Sequence, residues 1–131
     1  MKEEKKILKL TLKKQWFDMI ASGVKKEEYR EIKDYWTNRL VWLLNPEKFN
    51  SITELTERLR DNAMIVERKS YLEYAFYTHV EFTNGYGKNR PQITLECKGI
   101  AIGKGNPEWG APLEDVFIIK LGNRINKTEK K

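Results

Sequence analysis

Gly23-Val24-Lys25-Lys26-Glu27-Glu28-Tyr29-Arg30 is the stretch on which the fold turns. Ahead of it, Leu12, Trp16, Phe17, Met19 and Ile20 fall at helical spacing, and Gly23 stands where a C-terminal helix cap belongs. This predicts a short amphipathic helix over about 13–22. Beyond the glycine the chain is charged but carries Tyr29 and Ile32, which predicts a strand from about Glu27. Upstream, Ile7-Leu-Lys-Leu-Thr-Leu12 alternates apolar and polar residues, the period of a half-buried strand.

Working downstream, Asp34 reads as the N-cap of a second helix holding Tyr35, Trp36, Leu40, Val41, Leu43 and Leu44, closed by Asn45-Pro46. Ser51-Ile-Thr-Glu54 is a capping box, and Ile52, Leu55 and Leu59 give the helix after it one apolar stripe. Arg58 and Arg60 fall on or near its solvent side. Asp61-Asn62 reads as a break, and 63–75 suits helix and strand equally. Phe76, Thr78, Val80 and Phe82 alternate with Tyr77, His79, Glu81 and Thr83, the pattern of a strand, and Asn84-Gly-Tyr-Gly87 is turn chemistry. Ile93, Leu95 and Cys97 form the apolar face of another strand, with Gly99 a bulge before Ile100-Ala-Ile102. A loop from Gly103 to Pro112 holds Trp109, and Val116-Phe-Ile-Ile-Lys-Leu121 is a last buried strand.

These elements predict one α+β domain over 1–131, a mostly antiparallel sheet with flanking helices that curls into a small barrel. Its core would run from about 6 to 125, with a helical insertion at about 45–75 and a charged tail at 126–131. A chain of 131 residues with 40% hydrophobic and 34% charged residues is of folding composition, too rich in aromatic residues and Ile for disorder. One cysteine, Cys97, excludes an internal disulfide framework. With the single His79 it is too little for a zinc site, and no cofactor or metal is expected. No apolar run approaches the roughly 20 residues that span a bilayer. The opening Met1-Lys-Glu-Glu-Lys-Lys6 is no secretory signal, so the expected location is cytoplasmic, with no membrane partner.

The net charge of +6 is uneven. Residues 1–33 carry a net +4 and residues 120–131 another +4, while 34–119 carry −2. If the ends of the chain lie close together they make a basic face, which favours polyanions, nucleic acid above all. The competing reading is that lysine-rich tails keep a small domain soluble.

Three stretches together resemble the ASCH domain, a branch of the PUA-like fold. They are Gly23-Val-Lys-Lys-Glu-Glu-Tyr-Arg30, which matches the G-x-K-x-x-E-x-R motif after an amphipathic helix; Phe82-Thr-Asn-Gly-Tyr-Gly87 before a strand opening at Pro91-Gln-Ile; and Gly99-Ile-Ala-Ile-Gly103 with Trp109-Gly-Ala-Pro112. The resemblance covers about 6–125 and fits least at 45–75. It implies a PUA-like β-barrel whose cleft is lined by Lys25, Glu28 and Arg30, and a partner that is RNA or a modified nucleoside. Some members of the family act as amidohydrolases on acylated cytidine and others are described as nucleases. In the amidohydrolase members the glutamate position of the motif is a threonine nucleophile. This chain has Glu28 there, which puts Thr-type acyl transfer in doubt.

Taken by their chemistry, Lys25, Glu28 and Arg30 are one acid and two bases. Glu28 and Arg30 share strand parity, while Lys25 sits in the turn after the helix cap. As binding residues, Arg30 forks onto a phosphate or a carbonyl edge and Lys25 supplies a point charge. As catalytic residues, Lys25 in a desolvated cleft would act as a base and Glu28 would activate water, although Glu28 also favours the ammonium form of its neighbour. A metal-dependent ribonuclease would need carboxylates such as Glu28, Glu81 and Glu96 to hold a divalent ion. The structural alternative is an ion-pair network clamping strand to helix.

Trp16, Phe17, Trp36, Trp42, Phe76, Phe82 and Phe117 have core-like periodicity. Tyr86 and Trp109 stand in loops, where a ring offers a stacking surface for a base; the alternative for Trp109 is that it folds back onto the core. His79, on the side of Tyr77 and Glu81, reads as a hydrogen-bonded surface or cleft residue, and Cys97 as an inert core thiol. The helical insertion at 45–75 is a second candidate for partner contact, with another protein.

Overall fold

The computed structural model describes residues 4–44, 49–68, 72–85 and 89–125, with 62–68 as backbone. The elements run β1 (Ile7–Leu12), α1 (Lys14–Ala21), β2 (Glu27–Arg30), α2 (Asp34–Leu40), β3 (Val41–Leu43), α3 (Ile52–Arg68), β4 (Leu72–Tyr74), β5 (His79–Asn84), β6 (Gln92–Gly103), a turn of 3-10 helix (Pro107–Trp109) and β7 (Val116–Ile125). Five strands form one sheet in the order β1-β5-β6-β7-β2, and β3 pairs with β4 in a separate ribbon. The α+β class expected from the periodicities therefore holds. By contacts the chain divides into two compact units. One comprises Met1–Glu28, Phe76–Gly99 and Ile119–Lys131; the other comprises Tyr29–Ala75 and Ile100–Ile118.

In the first unit β1 alternates as its sequence requires, with Leu8, Leu10 and Leu12 buried. Each contributes about 1.5–3 kcal/mol by leaving water. β5 presents Val80 and Phe82, both at 0% exposure, on its buried side. The β1–β5 pair is parallel, with Leu8 opposite Val80 and Leu10 opposite Phe82. The two strands are joined by a long excursion through other elements, which a parallel pair requires. β5 and β6 are antiparallel, Val80 facing Leu95 and Phe82 facing Ile93. Helix α1 packs Phe17 and Ile20 inward, against β1 and β5.

β6 is a single strand through Gly99. Its buried positions are Ile93 and Leu95 before Gly99 and Ile100 after it, so the inward parity switches at the glycine, whose φ is +134°. A one-residue shift of this kind is what a bulge produces. Of the predicted core aromatics, Phe17, Phe82 and Phe117 are buried and Trp16 is half-buried, whereas Phe76 is 62% exposed. Phe76 precedes the strand, which starts at His79, so its alternation with Val80 does not carry it inward.

In the second unit α2 ends at Leu40, not at Leu44. Val41–Leu43 instead pairs antiparallel with Leu72–Tyr74, and Ala75 N–H donates to the Leu40 carbonyl at 2.9 Å. Strand geometry alternates this segment, which buries Val41 and turns Trp42 outward at 43% exposure, against its expected core position. α3 runs unbroken through Asp61-Asn62 to Arg68. The capping box forms in a displaced version: Glu54 N–H donates to Ser51 Oγ at 3.1 Å, while Glu54 Oε1 accepts from Asn50 N–H at 2.8 Å. α2 and α3 pack on each other, Leu40, Leu55 and Leu59 are buried, and the buried Thr37 and Thr56 hydroxyls are hydrogen-bonded at 2.9 Å. Among the described residues no helix is long and apolar enough to cross a membrane.

Candidate functional site

The motif is positioned by the end of α1. Gly23, at φ +88°, follows the C-cap Ser22; Gly23 N–H donates to Ile20 O at 3.1 Å and Val24 N–H to Met19 O at 3.0 Å. This pair of bonds is a Schellman motif, and its left-handed residue is one that glycine adopts without steric cost. Lys25 N–H also donates to Met19 O at 3.0 Å, which pins the next residue against the helix end. The following strand is tied in where Leu121 N–H donates to Lys26 O at 3.0 Å.

That turn delivers Lys25 into the interior. Its side chain is 1% exposed and that of Glu28 9%, with Lys25 Nζ 3.3 Å from Glu28 Oε1. The ammonium also lies 5.3 Å from the centre of the half-buried Trp16 ring. Burial costs the two charges their hydration, which the ion pair and the contact with the ring offset in part. The first two motif residues are thus together, as an ion pair.

Arg30, two residues further along β2, belongs to the second unit and is half-buried. Its guanidinium lies over Trp36 of α2, 4.9 Å from the ring centre. Trp36 meets Tyr35 edge to face, with centroids 4.8 Å apart. The Arg39 guanidinium lies 5.2 Å from the Tyr35 ring and 5.9 Å from that of Trp36, and its Nη1 donates to Tyr35 Oη at 3.2 Å. Trp36 is therefore half-buried in a ring-and-guanidinium stack rather than a core residue. The spacing of Tyr35 and Trp36 to Arg39, four and three residues on one helix, is the signal that could have found it.

Asp34 lies in the first turn of α2, after the N-cap Lys33, so it is not the cap expected. Its Oδ2 accepts from Thr53 Oγ1 at 2.6 Å. The hydrogen bonds from Thr53 and then Thr56 hold this carboxyl below the usual carboxylate range, helped by the charge of Arg60. Arg60 itself donates to the Ile32 carbonyl at 2.7 Å. A groove of about 500 Å³ runs along these residues, from Lys33, Asp34 and Tyr35 to Thr53 and Arg60.

Trp109, in the 3-10 turn, packs half-buried against a cluster of Tyr29, Ala111, Val116 and Ile118. Tyr29 Oη accepts from Asn106 N–H at 3.0 Å, which ties the loop to the end of the motif. Tyr86 lies outside the described residues.

His79, Glu81 and Glu96 share the polar face of the first unit's strands, with His79 opposite Glu96 and Glu81 between Lys9 and Thr94. His79 Nδ1 is 2.8 Å from Thr78 Oγ1, and Glu96 Oε1 accepts from Asn123 N–H at 3.0 Å. Among the described residues no three His, Cys, Asp or Glu side chains form a group that could hold a metal ion, so Glu28, Glu81 and Glu96 are not gathered as a ribonuclease would need. Cys97 is half-buried, and burial raises its thiol pKa, opposed by a hydrogen bond with the Gly99 backbone. Comparison with protein-family models, curated proteins and solved structures returned no match to this chain.

Proposed function

We propose that this chain is a nucleic-acid-binding module of the ASCH type. In this reading a PUA-like β-barrel domain takes RNA or a modified nucleobase through the Gly23–Arg30 motif and works in the cytoplasm without a cofactor. The observation that carries the proposal is the Lys25–Glu28 pair, buried at 1% and 9% exposure. A buried ion pair is a poor stabiliser, since apolar residues of similar volume commonly do as well or better. Two ionisable groups kept in such a place are candidates for a functional site. The net charge of +6 supports a polyanionic partner. Arg30 supports it too: its guanidinium lies 4.9 Å from the Trp36 ring centre, and a guanidinium can fork onto a phosphate or a base edge.

The test is native mass spectrometry of the protein after incubation with short single-stranded RNA and with N4-acylated cytidines. Retention of RNA or of an intact nucleoside, lost in Arg30→Ala, is the expected result. Turnover of an acylated cytidine that disappears in the double variant Lys25→Met, Glu28→Gln would make the same residues a hydrolase instead. Neither retention nor turnover would overturn the proposal and move the search to a protein partner of the 45–75 segment.

A further inference from the structure

We infer that the exposed face of α2, built from Tyr35, Trp36 and Arg39 with Arg30 behind it, is a docking platform for single-stranded nucleic acid, one base stacking on Tyr35 beside phosphates held by Arg39. The inference rests on the nucleic-acid reading above and adds a surface to it that lies outside the motif, apart from Arg30.

Four side chains carry it. Tyr35 is 57% exposed, although it is a large aromatic residue on a helix whose Thr37 and Leu40 are buried. Its ring is set at 89° to that of Trp36, with centroids 4.8 Å apart, so its plane is fixed by its neighbour. Arg39, also exposed, bridges the two rings and hydrogen-bonds the Tyr35 hydroxyl at 3.2 Å. Arg30 is laid over Trp36 from the adjoining strand. Aromatic rings set among guanidiniums are a combination that single strands use, with stacking for any base and cations for the backbone.

The same chemistry selects among polyanions. An acidic peptide would use the guanidiniums but gain little from Tyr35, whereas a base has a π face that matches the ring. The groove beginning at Tyr35 has the polar lining that a base edge needs, with the ionised Asp34 accepting and Arg60 donating. The Asp34 carboxylate in its lining also disfavours phosphate there, which leaves the backbone to Arg39, outside that lining.

The experiment is fluorescence anisotropy of the full chain with a labelled 12-nucleotide single-stranded RNA, at several salt concentrations, with unlabelled poly-glutamate as competitor. Tyr35→Ala should weaken binding by about 5- to 150-fold, the range of one lost base stack, while Tyr35→Phe stays near wild type. Arg39→Ala should lower the slope of log K against log salt by about 0.7. Circular dichroism confirms that these exposed-site variants fold. RNA binding that is unchanged in Tyr35→Ala and Arg39→Ala would overturn the platform and leave the motif reading standing. Absence of RNA binding by the wild type would overturn both. Displacement by poly-glutamate at equal charge concentration would overturn the platform in favour of simple charge attraction.

Discussion

Lys25 Nζ lies 3.3 Å from Glu28 Oε1, with both side chains shut away from water, three residues apart across the turn that links α1 to β2. The pair makes each charge hostage to the other. Removing one partner strands a buried charge, whereas removing both does not. Lys25→Met alone should destabilise the protein by about 3–5 kcal/mol, and Lys25→Met with Glu28→Gln by clearly less. Urea unfolding of the singles and the double, read as a double-mutant cycle, checks this; equal costs that simply add would refute the coupling.

Gly105 is a packing requirement. A β-carbon built there would stand 2.5 Å from Ala111 Cβ and 2.6 Å from Tyr29 Cε1. The neighbours are side chains of the cluster that holds Trp109, with Tyr29 and Ala111 buried, so there is little room to yield. Gly105→Ala should cost about 1–3 kcal/mol and alter Trp109 fluorescence. An unchanged denaturation midpoint would show that the loop relaxes freely.

Asp34 ties α2 to α3 through Thr53, and its carboxyl is held below the usual range by hydrogen bonds from Thr53 and Thr56. A group with a depressed folded pKa contributes stability above its unfolded value of 3.8, and that contribution fades as pH falls through the folded value. Asp34→Asn should therefore be less stable than wild type at neutral pH, with the gap closing in acid below about pH 4. Thermal melts of both proteins across the acid range measure it. A gap independent of pH would mean that the carboxylate charge plays no part.

Cys97 titrates in the opposite sense, because burial raises its thiol pKa. The thiolate is the reactive form, so alkylation of the native protein should lag behind that of the urea-unfolded chain at the same pH. The lag should persist at pH values where a free cysteine is already largely thiolate. Mass-resolved iodoacetamide labelling gives the two rates, and equal rates would place the thiol in open solvent.

Local order was legible where short-range chemistry decides it. The alternation of Leu8, Leu10 and Leu12 specified β1, Gly23 specified the end of α1, and the parity change about Gly99 marked the kink in β6. The charged pair Lys25 and Glu28 was legible as a site candidate from its place after the cap. Its depth was not, since the residues beside a lysine do not by themselves say how far its side chain is shut from water. Trp36 was misread for the complementary reason: an aromatic residue at helical spacing suits a core, and only the neighbouring Arg30 and Arg39 show what the ring faces.

The sequence by itself determined the strand and helix periods, the caps and the excess of positive charge, because these depend on residues within a few positions of one another. Only the tertiary structure decided that α2 stops at Leu40, because Val41–Leu43 finds its hydrogen-bonding partner some thirty residues away in β4. It also carried α3 past Asp61-Asn62, where the intrinsic penalty of under about 1 kcal/mol per residue is small beside the burial of Leu55 and Leu59. And it put Lys25 out of reach of water. Each of these outcomes is set by contacts between distant parts of the chain, whose free energies exceed the local preferences that the sequence displays.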